Sequence, residues 1–284
     1  MAIIETRNLT YIYPFTEKPA FESVNLSIGR GEFVLLTGPS GCGKTTLCRC
    51  LNGLIPHFYG GKLEGEIIVA GLKPSEHPIY KMAQHVGMVF QNPENQLFAL
   101  TVEKDVAFGL ENLGLPRDEI RRRVNWALKV TGIYDLKDKA PFELSGGQQQ
   151  RVAIASVLAM QPEIIVLDEP TSFLDPLSAK NILETVHQLS RDLKITVILI
   201  EHRLDLAARY ANRVIVMKDG HIVLDDEPRR AFLDEKIRLI GIGIPKVVKL
   251  YFLLREDSVD IGGVPLSPEE ASKLIEGVLI SDRG

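Results

Sequence analysis

The sequence predicts an α/β fold: a parallel-sheet core carrying a phosphate-binding loop, an antiparallel β subdomain, a helical subdomain and a small C-terminal appendage. Three observations predict it. Gly38-Pro39-Ser40-Gly41-Cys42-Gly43-Lys44-Thr45-Thr46 fits the pattern G-x-x-x-x-G-K-[ST], a glycine-rich turn that opens a helix and wraps backbone N–H groups round phosphates. Short apolar runs at 33–37, 86–90, 163–167 and 195–200 read as strands buried in a parallel sheet. Between residues 94 and 160 the pattern changes to helical periodicity.

The chain has 284 residues, room for one large domain with an appendage or for two small domains. Its hydrophobic content of 45% and charged content of 25% suit a water-soluble globular protein. A net charge of 33 − 37 = −4 gives no general reason to expect nucleic-acid binding. No apolar run approaches the ~20 residues of a membrane helix. The start, Met-Ala-Ile-Ile-Glu, lacks the basic-then-apolar build of a signal peptide. The expectation is a chain that stays in the cytoplasm and spans nothing by itself. The three cysteines, Cys42, Cys48 and Cys50, surround the phosphate loop. Cys48 and Cys50 do not share a helix face, so they read as small buried hydrophobes rather than a metal pair, and Cys42 as an alkylation handle.

In chain order, Ile3–Leu9, Tyr11–Tyr13 and Val24–Ile28 suggest an antiparallel ribbon leading into the strand Phe33–Thr37. Tyr13, just before Pro14, is placed to stack on a base or to pack within the ribbon. The helix from Thr46 to Asn52 closes at Gly53, and its N-terminus adds positive partial charge to the anion site. Lys44 is expected to reach the β- and γ-phosphates, and the Thr45 hydroxyl to ligate Mg²⁺. Glu66–Val69 reads as a strand that rejoins the ribbon. Gln91 ends the strand 86–90, where parallel sheets place ligand chemistry, and can reach a metal ion or its water.

Thr101 can cap a helix through Leu110, and a second helix spans Pro116–Val130. Arg121–Arg123 on that helix reads as a solvated face or an acidic-partner contact. Leu144-Ser145-Gly146-Gly147-Gln148 then precedes an apolar helix from Val152 to Met160, with Ser145 as N-cap, a second anion-binding helix start. The strand 163–167 ends at Asp168-Glu169-Pro170. One carboxylate there can hold a Mg²⁺ shell and the next can polarise a water, since two adjacent carboxylates after an apolar strand are costly without a cation. Pro176 opens a helix to about Arg191, and Ile195–Ile200 ends at Glu201-His202. Asp219-Gly220 between two apolar runs is a type I′ hairpin signal. Past Leu224 the pattern weakens to short helices, the last opened by Ser267-Pro-Glu-Glu270 as a capping box.

Together these motifs resemble the nucleotide-binding subunits of ABC transporters over about residues 3–224, through Gly38–Thr46, Gln91, Leu144–Gln148, Ile164–Glu169, Ser172–Asp175 and His202 in family order. The resemblance implies a P-loop NTPase core in an ATPase domain spanning 1–224, with a helical subdomain at about 92–160 and a C-terminal appendage at 225–284, to which only the finer resemblance below gives a part in dimerisation. It implies ATP and Mg²⁺ as ligands, with Thr45 and Asp168 at the metal and Gln91 linking the metal site to a membrane partner. Glu169 would polarise the attacking water, His202 contact the γ-phosphate and Tyr13 stack on adenine. Ser145, Gly147 and Gln148 would cap an ATP held by a second ATPase subunit, and Asp175 would act across that boundary.

A finer resemblance, through Asn52–Pro56, Gln91–Phe98 and Gly243–Pro245, is to the ATPases of energy-coupling-factor importers for vitamins or metal ions. It implies a peripheral protein on the cytoplasmic face of the cell membrane, with a transmembrane transporter subunit and no nucleic acid as partner. Leu97, Phe98 and Leu100 then either form a groove for a coupling helix or belong to the core of the helical subdomain. Two other classes stand beside this one. A soluble ABC ATPase of translation or DNA repair ordinarily has two cassettes or a long coiled coil, and a phosphate-loop kinase leaves Ser145–Gln148 and Glu169 without work.

Overall fold

The computed structural model describes residues 2–281. The chain runs β1 (Ala2–Ile12), β2 (Phe21–Gly29), β3 (Phe33–Thr37), α1 (Lys44–Leu51), α2 (Leu54–His57), β4 (Lys62–Val69), α3 (Ile79–Met82) and β5 (Val86–Val89). It continues through α4 (Val102–Asn112), α5 (Arg117–Val130), α6 (Gly146–Ala159), β6 (Ile164–Asp168), α7 (Pro176–Leu193), β7 (Thr196–Ile200) and α8 (Leu204–Ala207). The remainder is β8 (Arg213–Lys218), β9 (His221–Asp226), α9 (Pro228–Leu233), α10 (Glu235–Ile240), α11 (Lys246–Glu256) and α12 (Pro268–Ser281).

Six strands in the order β5-β6-β7-β3-β8-β9 form the central sheet, parallel except for the antiparallel edge strand β9. Strands β3, β5, β6 and β7 are buried along their whole length and apolar at nearly every position because both faces are covered. Phe33 and Leu35 of β3 join one apolar cluster and Val34 and Leu36 the other; Ile165/Leu167 and Ile164/Val166 of β6 divide the same way. Helices α6 and α7 cover the first face, with Ile154, Leu158, Ile182 and Val186 in its cluster. Helix α1 and the ribbon cover the second, through Leu47, Leu51, Ile4, Tyr11 and Phe21.

The ribbon is the expected antiparallel subdomain, ordered β2-β1-β4. It differs in that Ile3–Leu9 and Tyr11–Ile12 belong to one strand, with Tyr13 just past its end, and irregular pairing between Thr6 and Leu9 and again between Leu9 and Tyr11 interrupts it. The β8–β9 turn is the type I′ hairpin, with Asp219 and Gly220 both left-handed at φ 48° and 83°. That turn ties the two sheets together, since Glu22 N–H donates to Gly220 O at 3.0 Å.

Helices α4, α5 and α6 make the helical subdomain around Val106, Leu110, Leu128 and Val152. Thr101 caps α4 by accepting from Lys104 N–H. Arg122 and Arg123 on α5 both hydrogen-bond Glu119, so two residues of the basic run are paired within their own helix.

Beyond β9 the helices of the C-terminal appendage pack on the core. Phe232, Ile237, Val248, Tyr251 and Leu266 lie in the same apolar cluster as the first sheet face. The cap at Ser267 differs from a capping box: Ser267 Oγ accepts from Glu270 N–H, but the Glu270 carboxylate accepts from Leu266 N–H instead of Ser267 N–H.

Candidate active site

Parallel registry puts the strand ends of the central sheet on one edge. Val89 pairs with Leu167, Asp168 with Ile200, and Ile200 with Leu36. The residues just beyond these ends are Gln91, Glu169, His202 and the phosphate loop. Segments far apart in sequence thus meet at the carboxyl edge of the sheet, where such folds bind ligands.

The loop leaves β3 at Gly38, whose φ of 146° and contact with strand β8 leave no room for a side chain; a Cβ there would lie 2.0 Å from Met217 O. Helix α1 starts at Lys44, two residues earlier than expected, with Gly43 as its left-handed N-cap. The Lys44 side chain is buried and curls back so that Nζ donates to Gly38 O at 2.8 Å and Pro39 O at 2.9 Å. The ammonium is therefore fixed at the helix N-terminus, where backbone N–H groups and positive charge favour a phosphate.

Thr45 Oγ1 donates to Asp168 Oδ1 at 3.1 Å. Asp168 is 5% exposed, and burial pushes its carboxyl above the ordinary range against the lowering effect of the Thr45 hydroxyl. A cation would relieve that burial cost, and the donors on hand, a hydroxyl and a carboxylate, are the hard oxygens Mg²⁺ prefers. Among the described residues no group of three or more His, Cys, Asp or Glu side chains forms a metal site by itself. Mg²⁺ therefore fits here only with phosphate oxygens and water completing its shell, its usual mode.

Glu169 has the left-handed φ of 49°, rare for a residue with a side chain. Its carboxylate gathers three partners: Gln91 Nε2 donates to Oε2 at 2.9 Å, Ser172 Oγ to the same oxygen at 2.9 Å, and His202 Nε2 lies 3.2 Å from Oε1. The three residues expected to serve catalysis, Glu169, Gln91 and His202, are thus brought together. Ser172 is a member of the site that sequence reading did not single out. Its only signal was its place in the Ser172–Asp175 segment, three residues past Glu169.

Tyr13 reaches the phosphate-loop helix, its hydroxyl 3.0 Å from Thr46 Oγ1. Its ring packs edge-to-face against Tyr11 and Tyr59. Ser145, Gly147 and Gln148 lie at the exposed start of α6, where Gly146 lines a pocket together with Gln91 and Pro170. Ser145 and Gln148 form a capping box, Gln148 N–H donating to Ser145 Oγ and Ser145 N–H to Gln148 Oε1. Their neighbours are Leu174 and Ser178 at the entrance to α7, beside Asp175, which caps α7 by accepting from Leu177 and Ser178 N–H.

Cys42 is not the expected alkylation handle. Its side chain is 5% exposed, with Sγ 3.7 Å from Lys44 Nζ, and burial pushes its thiol up, as it does those of Cys48 and Cys50. A raised thiol stays protonated at neutral pH and so is a poor nucleophile. The native protein at pH 7.5 is expected to react with iodoacetamide at least about tenfold more slowly than a free thiol, with all three cysteines labelled only after unfolding. Mass spectrometry of the labelled chain checks this.

The family model for ABC transporter matches residues 21–172. An ABC transporter ATP-binding protein of Pyrococcus abyssi is 45% identical over 271 residues, covering 95% of this chain and 96% of its own. One from Methanosarcina mazei is 49% identical over 89% of this chain, which spans only 43% of that longer protein. The energy-coupling factor transporter ATP-binding protein EcfA1 of Caldanaerobacter subterraneus is 42% identical, covering 96% of this chain and 98% of its own. Among solved structures, cbiO1 of Clostridium perfringens, part of the ABC transporter complex cbiONQ, superposes with a TM-score of 0.75 at 38% identity, covering 88% of this chain and 99% of its own. The cassette MJ0796, solved as a dimer in a post-hydrolysis state with ADP and Pi, gives 0.69 at 31% identity over 80% of this chain and 99% of its own. With its phosphate loop, paired carboxylates and converging glutamine and histidine in place, the chain belongs to the ABC transporter family, as one of its ATP-binding ATPases.

Proposed function

We propose that the chain powers a membrane importer of the energy-coupling-factor type, for vitamin or metal-ion uptake, by closing and opening as an ATP-bound dimer. The observation that carries this is a pair of helix starts: the phosphate loop with Asp168, Glu169, Gln91 and His202 at the sheet edge, and a second, exposed start at Ser145–Gln148 whose side chains cap only their own helix. One triphosphate would lie between the phosphate loop of one subunit and the Ser145–Gln148 turn of another. Hydrolysis removes that shared ligand and lets the pair open, a shift driven by differential binding.

In this reading Lys44 and the loop N–H groups hold the β- and γ-phosphates, and His202 contacts the γ-phosphate. Tyr13 stacks on adenine. Thr45, Asp168 and Gln91 would hold Mg²⁺, which when bound offsets phosphate charge. Glu169 orients a water and draws off its proton. Asp175 faces the second subunit.

The importer reading also has a surface to dock on. Phe98 and Leu100 are 65% and 77% exposed, whereas Leu97 packs into the core. Phe98, Phe90, Leu54, Ile79, Phe108 and Met160 line a groove of about 280 Å³ between the helical subdomain and the sheet. An apolar helix end of a transmembrane subunit would fit it, placing the chain on the cytoplasmic face of the cell membrane. No helix among the described residues is long and apolar enough to cross a membrane.

The test is to tag the chain, extract it gently from its native membranes and identify what co-purifies. A small multi-span protein is the expected companion, with a second, different ATPase or with further copies of this one. Recovery with ribosomes or DNA-repair proteins and no membrane chain would overturn the importer reading.

A further inference from the structure

We propose that Glu201 is a positioning residue: with Thr171 and Arg203 it fastens the strand end carrying His202 to the loop carrying Ser172 and Asp175. Glu201 is 1% exposed and Thr171 fully buried. A buried carboxylate is stable only when its oxygens are well supplied with donors. Here Oε1 accepts from His202 N–H at 2.8 Å and Arg203 N–H at 3.0 Å, and Oε2 accepts from Thr171 Oγ1 at 2.5 Å.

Arg203 completes the tie from the other side. Its guanidinium donates to Thr171 O at 3.1 Å and Leu174 O at 3.0 Å. Three hydrogen bonds thus join the segment 201–203 to the segment 171–174, and two more, from His202 N–H and Arg203 N–H to Glu201 Oε1, brace the segment 201–203 itself. Each segment also places one group on Glu169: His202 Nε2 beside Oε1, and Ser172 Oγ on Oε2. The Glu169 carboxylate is held between two loops, and Glu201, Thr171 and Arg203 fix the spacing of those loops. A movement of the Ser172–Asp175 loop would be passed to His202 through this tie.

The inference rests on the assignment of His202 to the γ-phosphate, and the experiment separates the two. Steady-state ATP turnover is measured for Glu201→Ala, Thr171→Val, Thr171→Ser, His202→Ala and the Glu201→Ala/His202→Ala double variant. Glu201→Ala and Thr171→Val are expected to lower kcat about 10- to 100-fold, the cost of a small misplacement of reacting groups. The ATP KM should stay within about twofold, because the phosphate loop is untouched. Thr171→Ser keeps the hydroxyl and should restore turnover. The double variant should be no slower than His202→Ala, because residues acting as a unit are not additive.

A full multiplicative loss in the double variant, or a Thr171→Val defect that Thr171→Ser does not relieve, would overturn the inference. If Glu201→Ala fails to fold, the Thr171 pair, each also combined with His202→Ala, decides the same question. Normal turnover by His202→Ala would overturn the assignment of His202 itself. Loss in His202→Ala with wild-type rates for Glu201→Ala and Thr171→Val would overturn only the positioning role.

Discussion

Glu169→Gln is expected to keep ATP affinity within about twofold and to lose turnover by about 10²–10⁴-fold, the contribution typical of a positioned general base. The geometry says why the two effects separate. Glu169 lies one residue past Asp168, outside the phosphate loop, and touches Gln91, Ser172 and His202 rather than Lys44 or Thr45. Glutamine keeps the shape of the side chain. Its oxygen can still accept from Gln91 and Ser172, and its amide can donate to His202 in the tautomer with a free Nε2 lone pair. What disappears is the negative charge and the capacity to draw a proton from water. Hydrolysis assays beside equilibrium binding of a fluorescent ATP analogue check both halves. If dimer closure depends on ATP remaining intact, size-exclusion chromatography of the variant with ATP should show a persistent dimer. Wild-type turnover in Glu169→Gln would remove Glu169 from the role given to it.

The parts of this site that were legible in the sequence are those written in contiguous residues. The phosphate loop is one turn whose glycines are demanded by local backbone geometry, as Gly38 shows against Met217 O. The strand ends were legible because parallel strands buried on both faces are unbroken apolar runs, so Gln91, Asp168 and His202 stand out where each run stops. The Glu201–Thr171 bond was not, because it joins residues 30 apart through the pairing of β6 with β7, which no local pattern encodes. Strand β1 was read in two pieces for a related reason. Its irregular pairing at Thr6–Leu9 breaks the period of two, and Asn8 turns left-handed at φ 48°. Cys42 misled because a loop position suggests exposure, whereas this loop folds the thiol inward beside Lys44. The packing of the C-terminal appendage was not legible either, because its helices are short and punctuated, although Phe232 and Val248 are fully buried in the cluster of the first sheet face.

Mixing two inactive variants should give activity back. Lys44→Ala removes the ammonium fixed over the phosphate loop, and Ser145→Arg fills the exposed start of α6 with a bulky side chain. Each homodimer then has two defective sites if every site is built from both subunits, and each is expected to lose turnover by about 10²-fold or more. A mixed dimer is different. The Ser145→Arg subunit still has Lys44, and the Lys44→Ala subunit still presents Ser145, whose Oγ accepts from Gln148 N–H and keeps its proton for a phosphate. Those two halves face each other across one site, so one site of the mixed dimer is whole and the other doubly broken. With random pairing about half the dimers are mixed, and a 1:1 mixture should recover about a quarter of wild-type turnover. A site complete within one subunit predicts the opposite, because the Ser145→Arg protein would then hydrolyse ATP unaided and mixing would add nothing. Hydrolysis rates of the two variants alone and combined after subunit exchange therefore decide whether the two halves of this chain's chemistry are meant for different copies.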